Sequence, residues 1–226
     1  MDKFISIAID GPSGAGKSSI AKRLAAQLQY IYVDTGALYR SIGLYALRQN
    51  VPTKSCDAVA ALLDDITLDL RYIDGAQHVF LNGEDVSELI RTSAVSMAAS
   101  DVSAHPPVRA FLLDTQRSLA QTHNVIMDGR DIGTVVLPQA KVKIFLTASA
   151  EKRAERRFKE LLEKGEAITY ETVLADVNQR DYNDTHRAAA PLKAAPDAVT
   201  ADTSALDFEQ SVALLADIVK EKLKKE

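Results

Sequence analysis

The chain has 226 residues, of which 46% are hydrophobic and 26% are charged, and its formal net charge is -4 at pH 7. This length and composition suit one ordered globular domain with a full core and room for small inserts. The acidic balance argues against a protein built to bind long nucleic acid, which usually shows a basic domain. A small anionic substrate needs only a local group of Arg and Lys, so that class stays open.

Cysteine content and hydropathy indicate the compartment. The only cysteine, Cys56, cannot pair within the chain, so neither a disulfide scaffold nor a metal site built on cysteines is expected, and a reducing compartment fits. No stretch approaches the roughly 18 apolar residues of a membrane span. The apolar run after Lys3 is too short for a signal peptide. We therefore expect a cytoplasmic protein that does not cross a membrane.

The first 50 residues predict the opening of a parallel α/β sheet. An apolar run stops at the turn residues Asp10-Gly11-Pro12, and apolar residues at helical spacing follow. A second apolar run then ends at Asp34-Thr35-Gly36, which turns into another helix. The expected order is strand, helix, strand, helix, at 4–9, 17–29, 30–33 and from the turn to about 49.

The middle of the chain departs from this rhythm. Two short strands at 67–72 and 78–81 flank a turn at Asp74-Gly75, and Asn82-Gly83 makes another turn. Short helical pieces follow from Val86 and from Ser93. We interpret about 65–100 as a small mixed insert that lies outside the main sheet.

Regular elements resume with a helix that Pro106-Pro107 open and that runs to about 121. Apolar strands are predicted at 125–127 and 142–146, and a short strand near 197–201. Helices are predicted at about 150–164 and 169–184, with a final helix from about 207.

Residues 11–18 read Gly-Pro-Ser-Gly-Ala-Gly-Lys-Ser and satisfy the pattern G-x-x-x-x-G-K-[ST]. Glycines let the backbone curl around phosphate, and the helix that follows adds its positive dipole end. Lys17 supplies a cation to the β- and γ-phosphates, and the hydroxyl of Ser18 a ligand for Mg²⁺. The alternative is an ordinary Gly-rich turn, which the strand before and the helix after disfavour.

Arginines recur where a phosphoryl-transfer site would need cations. Arg130 and Asp131 follow the strand ending at Met127, at the carboxyl edge where open α/β sheets bind ligands. Arg40 follows the turn at Asp34-Thr35-Gly36. Two helices carry further groups, which are Arg153, Arg156 and Arg157 on the first and Arg180, Asp184 and Arg187 on the second.

Each of these groups has a plainer alternative. Arg153, Arg156 and Arg157 lie among acidic residues and could form a solvated face. Arg180 and Arg187 could form surface salt bridges with Asp181 and Asp184, which contribute little. Asp128 and Asp131 could be helix caps or turn formers.

Four blocks together resemble bacterial cytidylate kinases of the nucleoside monophosphate kinase family, and the match spans about 4–220. The blocks lie at 10–18, 34–40, 128–136 and 180–187. The resemblance implies a three-layer α/β P-loop fold with a parallel central sheet and one kinase domain. Its core would comprise about 1–34, 105–148 and 165–226, with a monophosphate-binding insert at about 35–104 and a helical lid at about 149–164.

The same resemblance implies transfer of the γ-phosphoryl group of ATP to CMP or dCMP, with Mg²⁺ required. A related UMP/CMP kinase is the alternative. A monomer is expected, without nucleic acid or membrane partners. A GTPase is disfavoured because Asn-Lys-x-Asp does not occur in the chain, and a non-catalytic nucleotide-binding module because a second, arginine-rich subsite implies two anions.

Site residues carry over by position from that family. The ATP phosphates would contact Gly11, Pro12, Ser13, Gly14, Ala15, Gly16, Lys17, Ser18, Ser19 and Arg156. CMP would contact Thr35, Tyr39, Arg40, Ser100, Arg109, Arg130, Asp131, Arg180, Asp184 and Arg187. Among these, the monophosphate would fall to Arg40, Arg130 and Arg187, the cytosine edge to Ser100, Arg109 and Asp131, and the ribose to Arg180 and Asp184. The catalytic group would be Lys17, Arg130 and the lid residues Arg153 and Arg157. Mg²⁺ would bind Ser18 and, through water, Asp128, with Asp34 also available.

Overall fold

The computed structural model describes residues 4–163 and 165–224. The predicted core ends at 1–3 and 225–226 and the last residue of the predicted lid, 164, lie outside the described residues. Contacts divide the chain into two compact units. The first comprises Met1–Tyr32 and His123–Glu226, and the second comprises Val33–Thr122.

Helices and strands alternate along most of the described chain. The strands are β1 (Ser6–Asp10), β2 (Ile31–Asp34), β3 (Leu68–Ile73), β4 (Ala76–Leu81), β5 (Glu84–Asp85), β6 (Val125–Gly129), β7 (Val142–Thr147) and β8 (Val199–Asp202). The helices are α1 (Lys17–Leu28), α2 (Thr35–Arg48), α3 (Cys56–Ala60), α4 (Ser93–Val102), α5 (Pro106–Thr122), α6 (Ala150–Glu163), α7 (Tyr170–His186) and α8 (Phe208–Lys224).

A five-stranded sheet with the order β2-β6-β1-β7-β8 forms the centre of the fold. β1 pairs in parallel with both β6 and β7, and β7 pairs in parallel with β8. Ile7, Ile9, Ile126 and Ile144 in these strands are buried, as expected for a parallel sheet covered on both faces. Helices α1 and α8 pack against this core. The predicted α/β fold with a parallel central sheet is confirmed.

The second unit has a sheet and a core of its own. β4 pairs antiparallel with β3 and β5, and Asp74-Gly75 make the β3–β4 turn with positive φ at both residues. The core of this unit includes Leu38, Ile42 and Val79. The prediction that the mixed stretch at about 65–100 lies outside the main sheet is confirmed.

One boundary differs from the sequence prediction. Helix α5, which the sequence placed with the core, lies in the second unit, where Val108 and Leu112 are buried in that unit's core. The unit therefore extends to Thr122, beyond the predicted insert at 35–104. Whether this unit binds the monophosphate stays a prediction.

Four short elements of the described chain were not predicted. Helix α3, strand β5 and a 3₁₀ turn at Leu63–Asp65 are too short for a periodic pattern, and a π-helical turn at Ile132–Val136 follows β6. Among the described residues, none of the helices has the length and hydrophobicity of a membrane span.

Candidate active site

The loop of residues 11–16 joins the carboxyl end of β1 to the first turn of α1. A Cβ at Gly11 would overlap the backbone carbonyl oxygen of Leu146 on β7, so only glycine fits there. Gly16 precedes α1 in the left-handed conformation, with φ at 88°. Because glycine has no side chain to cap the helix, the first N–H groups of α1 are left for an anion.

Lys17 lies beneath this loop and is only 6% exposed. Its Nζ donates a hydrogen bond to the carbonyl oxygen of Pro12 at 2.7 Å. Burial, followed by the nearby charge of Arg130, lowers the pKa of Lys17 to about 7. The ammonium is therefore poorly compensated before an anion binds, and phosphate oxygens would supply the missing negative charge.

Asp128 ends β6 beside the first turn of α1. Its Oδ2 accepts a hydrogen bond from the hydroxyl of Ser18 at 2.7 Å, and its Oδ1 accepts one from the hydroxyl of Tyr32 at 3.0 Å. Hydroxyl and carboxylate oxygens suit Mg²⁺, which binds few protein ligands and completes its shell with water and phosphate. No group of three or more His, Cys, Asp or Glu suited to a metal occurs among the described residues.

The alternative metal ligand, Asp34, is engaged elsewhere. Its Oδ1 accepts from the N–H of Ala37 at 3.0 Å and caps α2, and its Oδ2 accepts from Nη2 of Arg40 at 2.8 Å. Burial opposes its ionisation, but the Arg40 charge outweighs burial and lowers the pKa of Asp34. Asp128 is the better candidate for water-mediated metal binding, because its carboxylate lies against Ser18.

Asp10, at the end of β1, fastens the turn that follows β6. Its two carboxylate oxygens accept from the N–H groups of Ile132 and Gly133 at 2.7 and 2.8 Å. Burial is the largest influence on this carboxyl and raises its pKa to about 6. The contact fixes the backbone directly after Arg130 and Asp131, which brings that pair to the sheet edge where the phosphate loop begins.

Two ion pairs lie at this edge and connect different elements. Nε of Arg130 donates to Oδ2 of Asp184 on α7 at 2.6 Å, and Nη2 of Arg187 donates to Oδ1 of Asp131 at 3.4 Å. Burial alone would raise the pKa of Asp184, but the charges of Arg130 and Arg187 outweigh it and lower that pKa. The alternative of surface salt bridges along α7 is wrong for Asp184 and Arg187, whose side chains are 9% and 5% exposed.

Arg180, also on α7, points a half-buried guanidinium toward the loop. Its Nη1 donates to the hydroxyl of Ser13 at 3.4 Å, while its Nε is buried without a hydrogen-bond partner among the described residues. Burial and then the neighbouring charges of Arg157 and Arg130 lower the pKa of Arg180. Clustered cations of this kind are stabilised when an anionic ligand binds.

Arg153 on α6 holds the loop to α7. Its guanidinium donates to both oxygens of Asp181, at 2.9 and 2.5 Å, to the carbonyl oxygen of Ser13 at 3.0 Å and to that of Ala148 at 2.8 Å. A Cβ at Gly14 would lie 3.2 Å from the Cβ of Arg153. The solvated-face alternative is therefore wrong for Arg153, although its contacts are protein groups and its predicted catalytic role stays a prediction.

The other two arginines of α6 point to different partners. Nη2 of Arg156 donates to the carbonyl oxygens of Thr203 and Leu206 beyond β8, at 2.8 and 3.4 Å. Nη1 of Arg157 donates to Glu160 at 3.1 Å on the same helix. A phosphate contact by Arg156 would require its side chain to leave these carbonyls, so that assignment stays a prediction.

In the second unit, Arg40 and Asp34 form a partly buried ion pair at the start of α2. Gln77 on β4 contacts the backbone of Asp34, accepting from its N–H at 2.9 Å and donating to its carbonyl oxygen at 3.4 Å. Thr35 is 2% exposed. Within the described residues, the buried Nε of Arg40 has no hydrogen-bond partner, which leaves it available to an anion.

Three further predicted contacts of CMP lie close together in this unit. The guanidinium of Arg109 lies 5.8 Å from the ring centroid of Tyr39 and donates to the carbonyl oxygen of Ser103 at 3.3 Å. The hydroxyl of Ser103 in turn donates to the carbonyl oxygen of Ser100 at 2.9 Å. Arg109, Tyr39 and Ser100 are thus connected through α4, α5 and α2.

The structure groups the predicted site residues within each unit. Lys17, Ser18, Asp128, Arg130, Asp131, Arg180, Asp184 and Arg187 lie along one sheet edge of the first unit. Four positioning residues were missed from the sequence, which are Asp10, Tyr32, Gln77 and Asp181. Each acts on a residue far along the chain, so no local spacing indicates it.

A solved structure of similar fold supports the architecture alone. It is an uncharacterized protein from Eubacterium ventriosum with a TM-score of 0.54 and 12% sequence identity, and the similarity covers 96% of this chain and 98% of that one.

Sequence comparisons identify the family. The family model described as cytidylate kinase matches residues 7–221. A cytidylate kinase from Caldicellulosiruptor saccharolyticus is 51% identical over 92% of each chain, and one from Caldicellulosiruptor bescii is 48% identical over 99% of each chain. A cytidylate kinase from Enterococcus faecalis is 47% identical over 96% of each chain. The chain therefore belongs to the cytidylate kinase family.

Proposed function

We propose that the chain transfers the γ-phosphoryl group of MgATP to CMP or dCMP, giving ADP and CDP or dCDP. As a member of the cytidylate kinase family, it is a phosphotransferase of the nucleoside monophosphate kinase class. The observation that carries the residue-level proposal is the phosphate loop with buried Lys17 beside a cluster of arginines at one sheet edge. Such a site neutralises and positions two anions, which is what phosphoryl transfer requires.

The proposed ATP half comprises the loop of residues 11–19 and the start of α1. Backbone N–H groups and Lys17 would bind the β- and γ-phosphates, and Lys17 would leave Pro12 to do so. Ser18 would bind Mg²⁺ directly and Asp128 through water, a choice that their 2.7 Å hydrogen bond supports. When bound, Mg²⁺ supplies charge neutralisation across the β- and γ-phosphates.

The proposed monophosphate contacts are Arg40, Arg130 and Arg187, with Arg180 and Asp184 on the ribose. Phosphate oxygens accept paired hydrogen bonds from guanidinium groups, which stay charged at any physiological pH. The partnerless Nε atoms of Arg40 and Arg180 in the described chain support ligand binding at both. In the transfer step the bond between the γ-phosphorus and the β–γ bridging oxygen of ATP breaks, and a bond forms between the γ-phosphorus and a phosphate oxygen of CMP.

The proposed base-reading group is Ser100, Arg109 and Asp131, and Thr35 and Tyr39 are proposed as further contacts of CMP. Cytosine presents an exocyclic amine donor next to N3 and O2 acceptors. A carboxylate such as Asp131 accepts from the amine, whereas it would face the O4 carbonyl of uracil. The Arg109 guanidinium beside Tyr39 supplies donors that match the acceptors on cytosine.

The proposed lid is α6 with its neighbouring residues, where Arg156 and Arg157 would close on ATP to exclude water. The guanidinium of Arg153 donates hydrogen bonds to Asp181 and to two backbone carbonyl oxygens. We therefore propose that Arg153 acts by holding the phosphate loop, with any direct phosphate contact made after those bonds rearrange. We also propose that the enzyme works as a cytoplasmic monomer on free nucleotides. The net charge of -4 supports free nucleotides over long nucleic acid as its partners.

The function is tested by measuring ADP release with ATP and, in turn, CMP, dCMP, UMP, AMP, GMP and no acceptor. We expect fast turnover with CMP and dCMP and negligible release without an acceptor. Release that does not depend on a monophosphate would instead indicate an ATPase, and the proposal would be wrong.

Discrimination against UMP is the sharper expectation. Because Asp131 would face a carbonyl in place of an amine, kcat/KM for UMP should be about a hundredfold or more below that for CMP. The Asp131→Ala variant should lose most of its activity on CMP and most of this preference. Equal turnover of UMP and CMP by the unmodified enzyme would contradict the base-reading assignment.

Binding of ATP should be accompanied by proton uptake above pH 7. In the free enzyme the pKa of Lys17 is lowered to about 7 by burial and by Arg130, so the amine is mostly neutral at pH 8.5, about 1.5 units higher. Phosphate oxygens favour the charged form and raise this pKa, so binding takes up about one proton and ATP affinity falls as pH rises from about 7.5 to 9.

Calorimetry at pH 8.5, in buffers of different ionisation enthalpy, measures the uptake directly. The Lys17→Met variant, which has no titratable group at this position, should bind ATP more weakly and take up no proton. Uptake that persists in this variant would assign the proton to another group.

A further inference from the structure

The carboxylate of Asp128 receives one hydroxyl hydrogen bond on each oxygen, from two different elements. Ser18 on α1 donates to Oδ2 at 2.7 Å, and Tyr32 on β2 donates to Oδ1 at 3.0 Å. Ser18 belongs to the phosphate-loop pattern, whereas Tyr32 belongs to no motif. Tyr32 and Asp128 are 8% and 4% exposed, so water competes little for this contact.

The ring of Tyr32 is held in place by the sheet. β2 and β6 are neighbouring strands, and Tyr32 belongs to the same buried cluster as Ile9 and Ile126. A ring fixed in this way loses little further conformational freedom when its hydroxyl binds the carboxylate. Tyr32 is therefore a rigid donor to Oδ1 of Asp128, the carboxylate oxygen other than the one that accepts from Ser18.

We propose that Tyr32 is a positioning residue for Mg²⁺, because its hydroxyl holds the Asp128 carboxylate in the orientation that accepts from metal-bound water. This inference rests on the proposed function, in which Asp128 contacts Mg²⁺ through water. A carboxylate held by one donor can rotate about its Cβ–Cγ bond, and a second donor on the other oxygen restricts that rotation. A carboxylate oxygen can accept more than one hydrogen bond, so both hydroxyl bonds can persist when water binds.

A merely structural hydrogen bond would stabilise the fold without affecting the metal, so the experiment measures metal-dependent binding. Calorimetry gives the affinity for ADP with and without Mg²⁺, and the ratio of the two is the metal-dependent gain. Tyr32→Phe removes only the hydroxyl and should reduce this gain by about tenfold, in line with other residues that orient a metal ligand. The affinity for metal-free ADP should not change, because the phosphate loop is intact.

Tyr30→Phe is the matched control. Tyr30 lies two residues earlier and packs against the same buried cluster, so its variant should keep both affinities. A second test asks whether Tyr32 acts through Asp128. In an Asp128→Asn background, Tyr32→Phe should cause no further loss of the metal-dependent gain.

Three results would overturn the inference. They are an unchanged metal-dependent gain in Tyr32→Phe, an equal loss of ADP affinity with and without Mg²⁺, and the absence of any gain in the unmodified enzyme. Failure of the proposed function is a separate result, since it would appear as absent phosphoryl transfer to CMP whatever the ADP titrations give.

Discussion

Replacing Lys17 by alanine is expected to lower kcat by about a thousandfold or more, because the cation that we propose for the transferring phosphoryl group would be lost. The remaining arginines at the sheet edge, such as Arg130 and Arg180, cannot replace it. Arg130 is bound to Asp184, and Arg180 contacts the loop at Ser13. Single-turnover measurement at saturating MgATP and CMP separates this loss from weaker binding.

The fold should survive this substitution. Burial of the Lys17 ammonium opposes its charged state, as the lowering of its pKa to about 7 indicates. Replacement by alanine therefore removes a group whose charge is unfavourably buried. We expect the circular dichroism spectrum to be unchanged and the melting temperature to stay within a few degrees. Lys220→Ala, at an exposed position of α8, is a matched control that should keep full activity. Turnover of Lys17→Ala within about tenfold of the unmodified enzyme would contradict the role.

The phosphate loop could be predicted from the sequence because all of its parts are adjacent in the chain. Gly11 to Ser18 form the turn, the cation and the hydroxyl, and the flanking apolar runs specify the strand and the helix. The β3–β4 hairpin of the second unit could also be predicted from the sequence, because Asp74-Gly75 indicates its turn. Local chemistry determines these features, so local patterns reveal them.

Contacts that hold the site together could not be predicted in this way. Asp10 and Ile132 are joined across 122 positions, and Ser13 and Arg153 across 140. No spacing rule connects residues that the parallel sheet brings to one edge from distant strands. The sequence therefore left the solvated-face alternative for Arg153 open, and the bonds of its buried guanidinium to Ala148, Ser13 and Asp181 decide against it.

The loss of Asp184 is expected to affect both CMP use and stability, for one electrostatic reason. Its carboxylate accepts from Nε of Arg130 at 2.6 Å and is the counter-ion for a cluster that also includes Arg187 and Lys17. Asp184→Ala leaves Arg130 without this partner in a half-buried site. We expect the free energy of unfolding to fall by about 2–3 kcal/mol, somewhat less than for a fully buried pair because Arg130 is partly exposed.

The catalytic effect of Asp184→Ala should appear in the use of CMP. Arg130 would no longer be oriented, and the ribose hydroxyls would lose the carboxylate that accepts their hydrogen bonds. The value of kcat/KM for CMP should therefore drop by about a hundredfold or more. ATP affinity should be unchanged or higher, because removing a negative charge near Lys17 favours an anion there. Asp184→Asn, which keeps a hydrogen-bond acceptor, should recover part of the orientation but not the charge. Asp217→Ala, at an exposed position of α8, is the control that should change neither kinetics nor stability. If Asp184→Ala instead weakened ATP and CMP equally, or left both unchanged, the carboxylate would not belong to the acceptor site.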